Sequence, residues 1–187
     1  LQITQSRSAA KSCSNAHQEG DSVTVNQGSE STQATVEKLG SGIAILVEVG
    51  VSIPLTTLND IATTWDNTIE PTVTNYFGSI PDIDDTCTVE LLILSIDGGG
   101  GIGGYFNPGL SSAREIIFMD SDDLSWRNTI ISHEFAHLLH SARDPGEYLW
   151  IDEGAADMAS YLTFGLTNTL TGHANSWTES SNLSVRW

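Results

Sequence analysis

Residues 130–140 read IISHEFAHLLH, an apolar helical pattern that contains several ionisable groups. His133 and His137 are four positions apart, so one helical turn places both imidazoles on the same face. His-Glu-x-x-His on a helix is a zinc-binding pattern in which the glutamate, here Glu134, acts as a general base toward water. Burying these groups among large apolar side chains without a partner would be costly. The segment therefore predicts a metal site and argues against a solvated helix face.

A third protein ligand is expected downstream, because catalytic zinc sites usually have three. Helix geometry disfavours His140, which lies off the direction that the histidine pair shares. Glu153 is the best choice, since residues 150–162 read WIDEGAADMASYL and place Glu153 and Asp157 four positions apart on a second helix. The other candidates are Glu147, Asp152, Asp157 and His173.

The rest of the chain predicts an α+β fold with a small twisted mixed sheet, a backing helix and a short helical C-terminal part that carries the third ligand. Apolar β-branched runs indicate buried strands, and apolar residues at three- to four-residue spacing indicate helices. The glycine run at 98–104 is expected to be a flexible loop. In chain order we predict a strand at 43–51, a helix at 58–69, strands at 88–96 and 114–120, and two helices between 121 and 165.

Composition divides the chain into a polar N-terminal arm at 1–40 and one catalytic domain at 41–187, with two lobes flanking a cleft. The arm is rich in small polar residues and permits one strand around 23–25. Cys13 and Cys87 are the two cysteines, and neither lies in a CxxC pattern. We predict that they form one disulfide that ties the arm to the second predicted strand.

Charge excludes two classes of partner. Lys and Arg number 7 against 24 Asp and Glu, giving a net charge of -17, which would repel nucleic acid and anionic membranes. No apolar run approaches the length of a membrane span. Two acidic runs have the hard oxygens that suit Ca²⁺, although neither has the spacing of an EF-hand loop. They are Asp82, Asp84 and Asp85, and Asp120, Asp122 and Asp123.

The two helical segments together resemble the gluzincin metallopeptidases, which carry HExxH on one helix and a glutamate ligand on the next. Within that group the chain is similar to the hyicolysin-type neutral metallopeptidases, through GYF at 104–106, the strand at 115–120 and WIDEG at 150–154. The resemblance implies the following roles: zinc binding by His133, His137 and Glu153, general base catalysis by Glu134, and orientation of His133 by Asp157 and of His137 by Asp152.

The activity that the resemblance implies is that of a secreted zinc endopeptidase, with a peptide substrate paired to an exposed edge strand at 115–120. A zinc aminopeptidase and a zinc-binding module without turnover are the alternatives. The absence of a recognisable motif that anchors a peptide N-terminus favours the endopeptidase.

The chain departs from the thermolysin-like pattern in two respects. Only 15 residues separate His137 from Glu153, and the distant histidine that helps to stabilise the oxyanion has no obvious equivalent before Trp187. That early end favours a processed fragment or catalytic module. Tyr148 is the first candidate for the oxyanion donor, and Tyr161 and His173 are further candidates.

Overall fold

The computed structural model describes residues 13–99 and 101–179, which form an α+β fold. Six strands form one mixed sheet: β1 (Ser22–Gln27), β2 (Glu30–Leu39), β3 (Ile43–Glu48), β4 (Val89–Leu94), β5 (Gly104–Phe106) and β6 (Ile116–Asp120). Their order across the sheet is β1-β2-β3-β4-β6-β5. The helices are α1 (Leu55–Thr64), α2 (Glu70–Phe77), α3 (Arg127–Ser141), α4 (Leu149–Phe164) and α5 (Asn168–Glu179).

The centre of the sheet is formed by β3, β4 and β6, which run parallel to one another. Their sequences, IAILVE, VELLIL and IIFMD, are predominantly apolar on both faces, as expected for strands covered on both sides. The three strands predicted at 43–51, 88–96 and 114–120 are confirmed here with shorter bounds.

The backing helix is longer than the predicted 58–69. It comprises α1, a π-helical segment at Trp65–Ile69, and α2. Pro71, the second residue of α2, has no backbone N–H, which removes one hydrogen bond of the regular helix and accounts for the wider turn before it. The ring of Trp65 is fully buried and packs on Phe135 of α3, with centroids 4.5 Å apart. The backing helix is thereby fixed against the helix that carries the His-Glu-x-x-His pattern.

Small residues allow α3 and α4 to pack closely. Ala156, Ala159 and Ser160 are the buried residues of α4. The Ser160 hydroxyl donates to the Thr129 carbonyl oxygen of α3 at 3.0 Å, and it lies 3.1 Å from the Ser132 hydroxyl. This buried contact sets the separation of the two helices that carry the predicted ligands.

The N-terminal segment contributes two strands to the sheet from Ser22 onward. β1 and β2 form an antiparallel hairpin, and β2 pairs with β3. Val25, Ala34 and Val36 alternate with exposed residues and bury one face of the hairpin. The predicted disulfide between Cys13 and Cys87 is confirmed. Residues 1–12 of the predicted arm lie outside the described residues.

The predicted edge strand is wrong. β6 pairs with β4 on one side and with β5 on the other, so the edge at this end of the sheet is β5. β6 is buried along its whole length and apolar at four of its five positions, so it requires cover on both sides, whereas the short sequence Gly-Tyr-Phe of β5 is only partly buried. Within the described residues, no helix has the length and apolar character needed to cross a membrane.

A buried ion cluster joins the N-terminal segment to the sheet. Glu90 of β4 is fully buried and accepts hydrogen bonds from Arg114 and from His17 Nε2 at 2.8 Å. Burial raises the pKa of Glu90, but these hydrogen bonds outweigh burial and leave it lowered. The same contact with Glu90 raises the pKa of His17 above 6.5.

We expect His17→Gln to lower the free energy of unfolding by about 1.5 kcal/mol, the value of a hydrogen bond to a charged group. The full loss should be seen between pH 4.5 and pH 6.5. Above pH 4.5 the ionised Glu90 contributes fully to stability, and below pH 6.5 His17 is charged in both the folded and the unfolded protein. The difference from wild type should shrink as the pH rises through the raised pKa of His17. Urea denaturation across this range measures it, and a constant difference would contradict the assignment.

Candidate metal centre and cleft

Three side chains from α3 and α4 meet at one point. His133 and His137 Nε2 atoms lie 3.0 Å apart. Oε2 of Glu153 is 3.3 Å from the first of these nitrogens and 3.8 Å from the second. Atoms that share one zinc ion, each about 2 Å from it, lie less than about 4 Å apart. Two imidazole nitrogens and one carboxylate oxygen also form the donor set of many catalytic zinc sites, so these residues fit the ion.

Carboxylates of α4 contact the opposite nitrogens of both imidazoles. Asp157 Oδ1 lies 3.1 Å from Nδ1 of His133, and Asp152 Oδ2 lies 2.8 Å from Nδ1 of His137. An Nδ1–H that donates to a carboxylate leaves the Nε2 lone pair available for a metal. The second oxygen of Asp152 lies 2.9 Å from Nδ1 of His140, so this aspartate contacts two histidines of α3.

The electrostatic environment favours a positive charge at this point. Burial would lower the pKa of His133, but its contacts with Asp157 and Glu153 and the nearby charge of Glu134 raise it to about 10. The pKa of His137 is lowered, first by burial and then by the charge of His133. The carboxylates thus attract either a proton or a metal ion to the space between the imidazoles.

Glu134 lies beside the two imidazoles with 8% of its surface exposed. Burial raises its pKa to about 7, against a lowering effect of His133 and of the Phe106 backbone N–H. A carboxyl group with a pKa near neutral can take up and release a proton under ordinary conditions. Its backbone contact also ties it to the edge strand β5.

A cleft of about 750 Å³ opens over these residues. One wall is the glycine-rich loop and β5, and the floor is α3. The other wall comes from the α3–α4 connection, α4 and the first turns of α5. Side chains on its walls include Ile102, Tyr105, Trp126, Asp144, Glu147 and Asn168.

The close approach of β5 to α3 depends on Gly104. A Cβ atom placed there would lie 2.6 Å from the Phe118 carbonyl oxygen and 2.6 Å from Cγ2 of Ile130, with Cγ of Glu134 at 3.6 Å. Sequence analysis assigned this glycine to a loop and missed both the strand and the contact. The feature of the sequence that could have indicated this strand is the aromatic pair Tyr105 and Phe106, which follows the glycine run.

Neither candidate tyrosine, Tyr148 or Tyr161, is among the residues that line the cleft. The Tyr148 side chain is 74% exposed at the start of α4, and it is absent from the set of residues that line the cleft. Tyr161 is 56% exposed. The side chain of His173 lies outside the described part of α5. Tyr148 as the donor stays a prediction.

The acidic runs differ in their arrangement. Asp82 and Asp84 come together with Glu115, which sequence reasoning did not consider. Asp85 instead accepts hydrogen bonds from Ser14. In the described ranges, no convergent group of three potential ligands contains residues of the run at 120–123.

The chain is similar to the neutral metalloprotease ShpI of Staphylococcus hyicus, with 28% identity over 160 aligned residues. The alignment covers 68% of this chain and 36% of that protein, so the chain spans about a third of the length of the curated relative it matches. No protein-family model matches the chain. The similarity supports a distant relationship to a metalloprotease.

We expect Gly104→Ala to lower the free energy of unfolding by about 1–3 kcal/mol, because the new methyl group overpacks the contact of β5 with α3. Gly154→Ala is the matched control. Gly154 is exposed in α4 with nothing within 4 Å of an added Cβ, so alanine there should raise stability by about 0.8–1 kcal/mol. Chemical denaturation measures both. Equal effects would show that β5 does not depend on a glycine.

Proposed function

We propose that the chain is a zinc-dependent endopeptidase. The observation that carries the proposal is the convergence of His133 Nε2, His137 Nε2 and Glu153 Oε2, with Glu134 beside them at the floor of a cleft. The distant relative named as a neutral metalloprotease supports the same reading. Zinc, when bound, would polarise the scissile carbonyl and lower the pKa of a water molecule.

In this proposal Glu134 moves the proton. Its buried carboxylate faces the cleft and takes the proton from the attacking water, and it then gives that proton to the leaving amine. Its position beside the two imidazoles in the cleft suits both steps. Asp157 and Asp152 keep the two imidazoles in the orientation that directs Nε2 to the metal.

The substrate would pair with β5. This strand is the sheet edge, it lines the cleft, and its neighbour β6 occupies only one of its two sides. An extended peptide can add to such an edge through main-chain hydrogen bonds. Pairing of this kind needs no free peptide N-terminus, which favours an endopeptidase over an aminopeptidase.

Tyr148 remains our candidate for the phenol that stabilises the oxyanion. Since its ring is exposed and outside the cleft lining, this role requires the side chain to rotate toward the cleft when substrate binds. We further propose that the protein is secreted, because its disulfide between Cys13 and Cys87 requires an oxidising compartment.

We expect Glu134→Gln to lower kcat/KM for peptide hydrolysis by about 10²–10⁴-fold while zinc still binds, because glutamine keeps the shape but cannot accept the proton. Glu37→Gln, at an exposed position of β2, removes the same charge and should leave activity unchanged. The substrates are peptides with blocked N-termini, so that only internal cleavage is measured. Elemental analysis gives the zinc content.

The outcomes separate the alternatives. Unchanged cleavage by zinc-loaded Glu134→Gln would disprove the role of Glu134. Wild-type protein that holds zinc but cleaves no peptide would indicate a binding module, and cleavage confined to peptides with free N-termini would indicate an aminopeptidase.

We expect Asp157→Ala and Asp152→Ala each to weaken zinc binding by about 10–100-fold, because the imidazoles lose the acceptors of their Nδ1–H groups. Asp157→Asn and Asp152→Asn should recover part of the affinity, since an amide oxygen still accepts a hydrogen bond. Asp21→Ala, in the exposed turn before β1, is the control. Competition with a chromophoric chelator measures affinity, and equal affinities for all variants would refute the orienting role.

A further inference from the structure

Glu115 is a buried carboxylate outside the histidine site. It directly precedes β6, and only 2% of its surface is exposed. Its Oε1 accepts a hydrogen bond of 2.8 Å from the backbone N–H of Ile83. Its Oε2 is also buried and has no hydrogen-bond partner in the described part of the chain. A buried carboxylate oxygen without a donor is costly, and either a proton on Glu115 or a bound cation would relieve that cost.

Two aspartates lie on either side of Ile83 in the connection between α2 and β4. One carboxylate oxygen from each of Asp82, Asp84 and Glu115 lies within 4.8 Å of the others. Asp82 Oδ1 accepts from the Cys87 backbone N–H at 2.9 Å, and Asp84 Oδ1 accepts from the Thr86 hydroxyl at 2.8 Å. These hydrogen bonds hold both aspartates in the turn that faces Glu115.

Three carboxylates at this separation repel one another. Burial raises the pKa of Glu115, the backbone N–H groups of Ile83 and Asp84 lower it, and the charge and the carboxyl hydrogen bond of Asp84 raise it, with a net increase. Either a proton or a cation would relieve this repulsion. A proton on Glu115 satisfies one oxygen, whereas a cation would contact all three carboxylates at once.

We propose that Asp82, Asp84 and Glu115 bind a calcium ion at a second metal site, separate from the histidine site. All three ligands are hard oxygens, which favours calcium over zinc. Calcium takes six to eight oxygen ligands in flexible geometry, so backbone carbonyls of the turn and water molecules would complete its shell.

The site would join two parts of the fold that are far apart in sequence. The aspartates belong to the turn that leads through Cys87 into β4, and Glu115 directly precedes β6. Glu115 also accepts a backbone hydrogen bond of 2.7 Å from Glu90 of β4 through its carbonyl oxygen. A bound ion would therefore fasten the turn, and the disulfide attached to it, to the central strands.

The full zinc-loaded chain, in calcium-free buffer, is titrated with CaCl₂ by calorimetry, and its thermal unfolding is followed in parallel. We expect one calcium ion to bind with a dissociation constant of about 10⁻⁴–10⁻³ M. Saturating calcium should raise Tm by about 5 °C. Glu115→Gln should weaken binding at least tenfold and remove most of the Tm increase.

Two further variants make the test decisive. Asp84→Asn keeps the oxygen that accepts from Thr86 and should also lose affinity, so it serves if Glu115→Gln does not fold. Glu37→Gln removes one charge from an exposed position and should bind calcium like wild type. The proposal is overturned if wild type binds no calcium, if MgCl₂ gives an equal Tm increase, or if the folded site variants bind calcium as wild type does.

Discussion

The contact between α3 and α4 is the interaction on which the site depends. Glu134 and His137 are buried on α3 and His133 is partly buried there, and carboxylates on α4 reach both imidazoles at hydrogen-bond distance. Buried ionisable groups without such partners would destabilise the fold. The two helices can approach closely because the residues between them are small, with Ser160 on α4 in contact with Thr129 and Ser132 on α3. Packing and charge pairing therefore require the same helix separation.

The sheet fixes the other half of the cleft. α3 is held from behind by the buried ring contact of Trp65 with Phe135, and from the front by β5 at Gly104. A side chain at position 104 would push the edge strand away from Glu134 and widen the cleft. Residues on rigid elements are held more accurately than residues on loops, which suits a site where small displacements matter.

Sequence patterns predicted the parts of the fold in which one local signal dominates. The helical spacing around His133 and the second spacing at Glu153 and Asp157 were sufficient to place α3 and α4, and apolar β-branched runs were sufficient for β3, β4 and β6. β5 was missed because three residues with a glycine carry no period, and its pairing with β6 is visible only in the tertiary structure. The hairpin of β1 and β2 was assigned to a polar arm because half of its residues face solvent.

Contacts between residues that are far apart in sequence could not be predicted from local patterns. Glu115 is separated from Asp82 by 33 positions, and nothing in the local pattern of β6 indicates that its preceding glutamate turns back to that loop. By contrast, His137 and Asp152 lie on consecutive helices, so a short connection brings them together. The histidine site was therefore foreseeable, and the carboxylate site was foreseen only as an acidic run that included Asp85 in place of Glu115.

Charge balance connects the two sites. The chain has 7 Lys and Arg against 24 Asp and Glu, and the four cations in the described ranges make hydrogen bonds elsewhere. Lys38 pairs with Glu19, Arg114 with Glu90 and Arg127 with Asp60, and Arg143 donates to backbone carbonyl oxygens. Within the described part of the chain, the carboxylates at both sites therefore have imidazoles, protons or metal ions, and no lysine or arginine, to balance their charge. A bound metal ion would stabilise a chain with so few lysines and arginines more than it would stabilise a chain that could place an arginine beside each group of carboxylates.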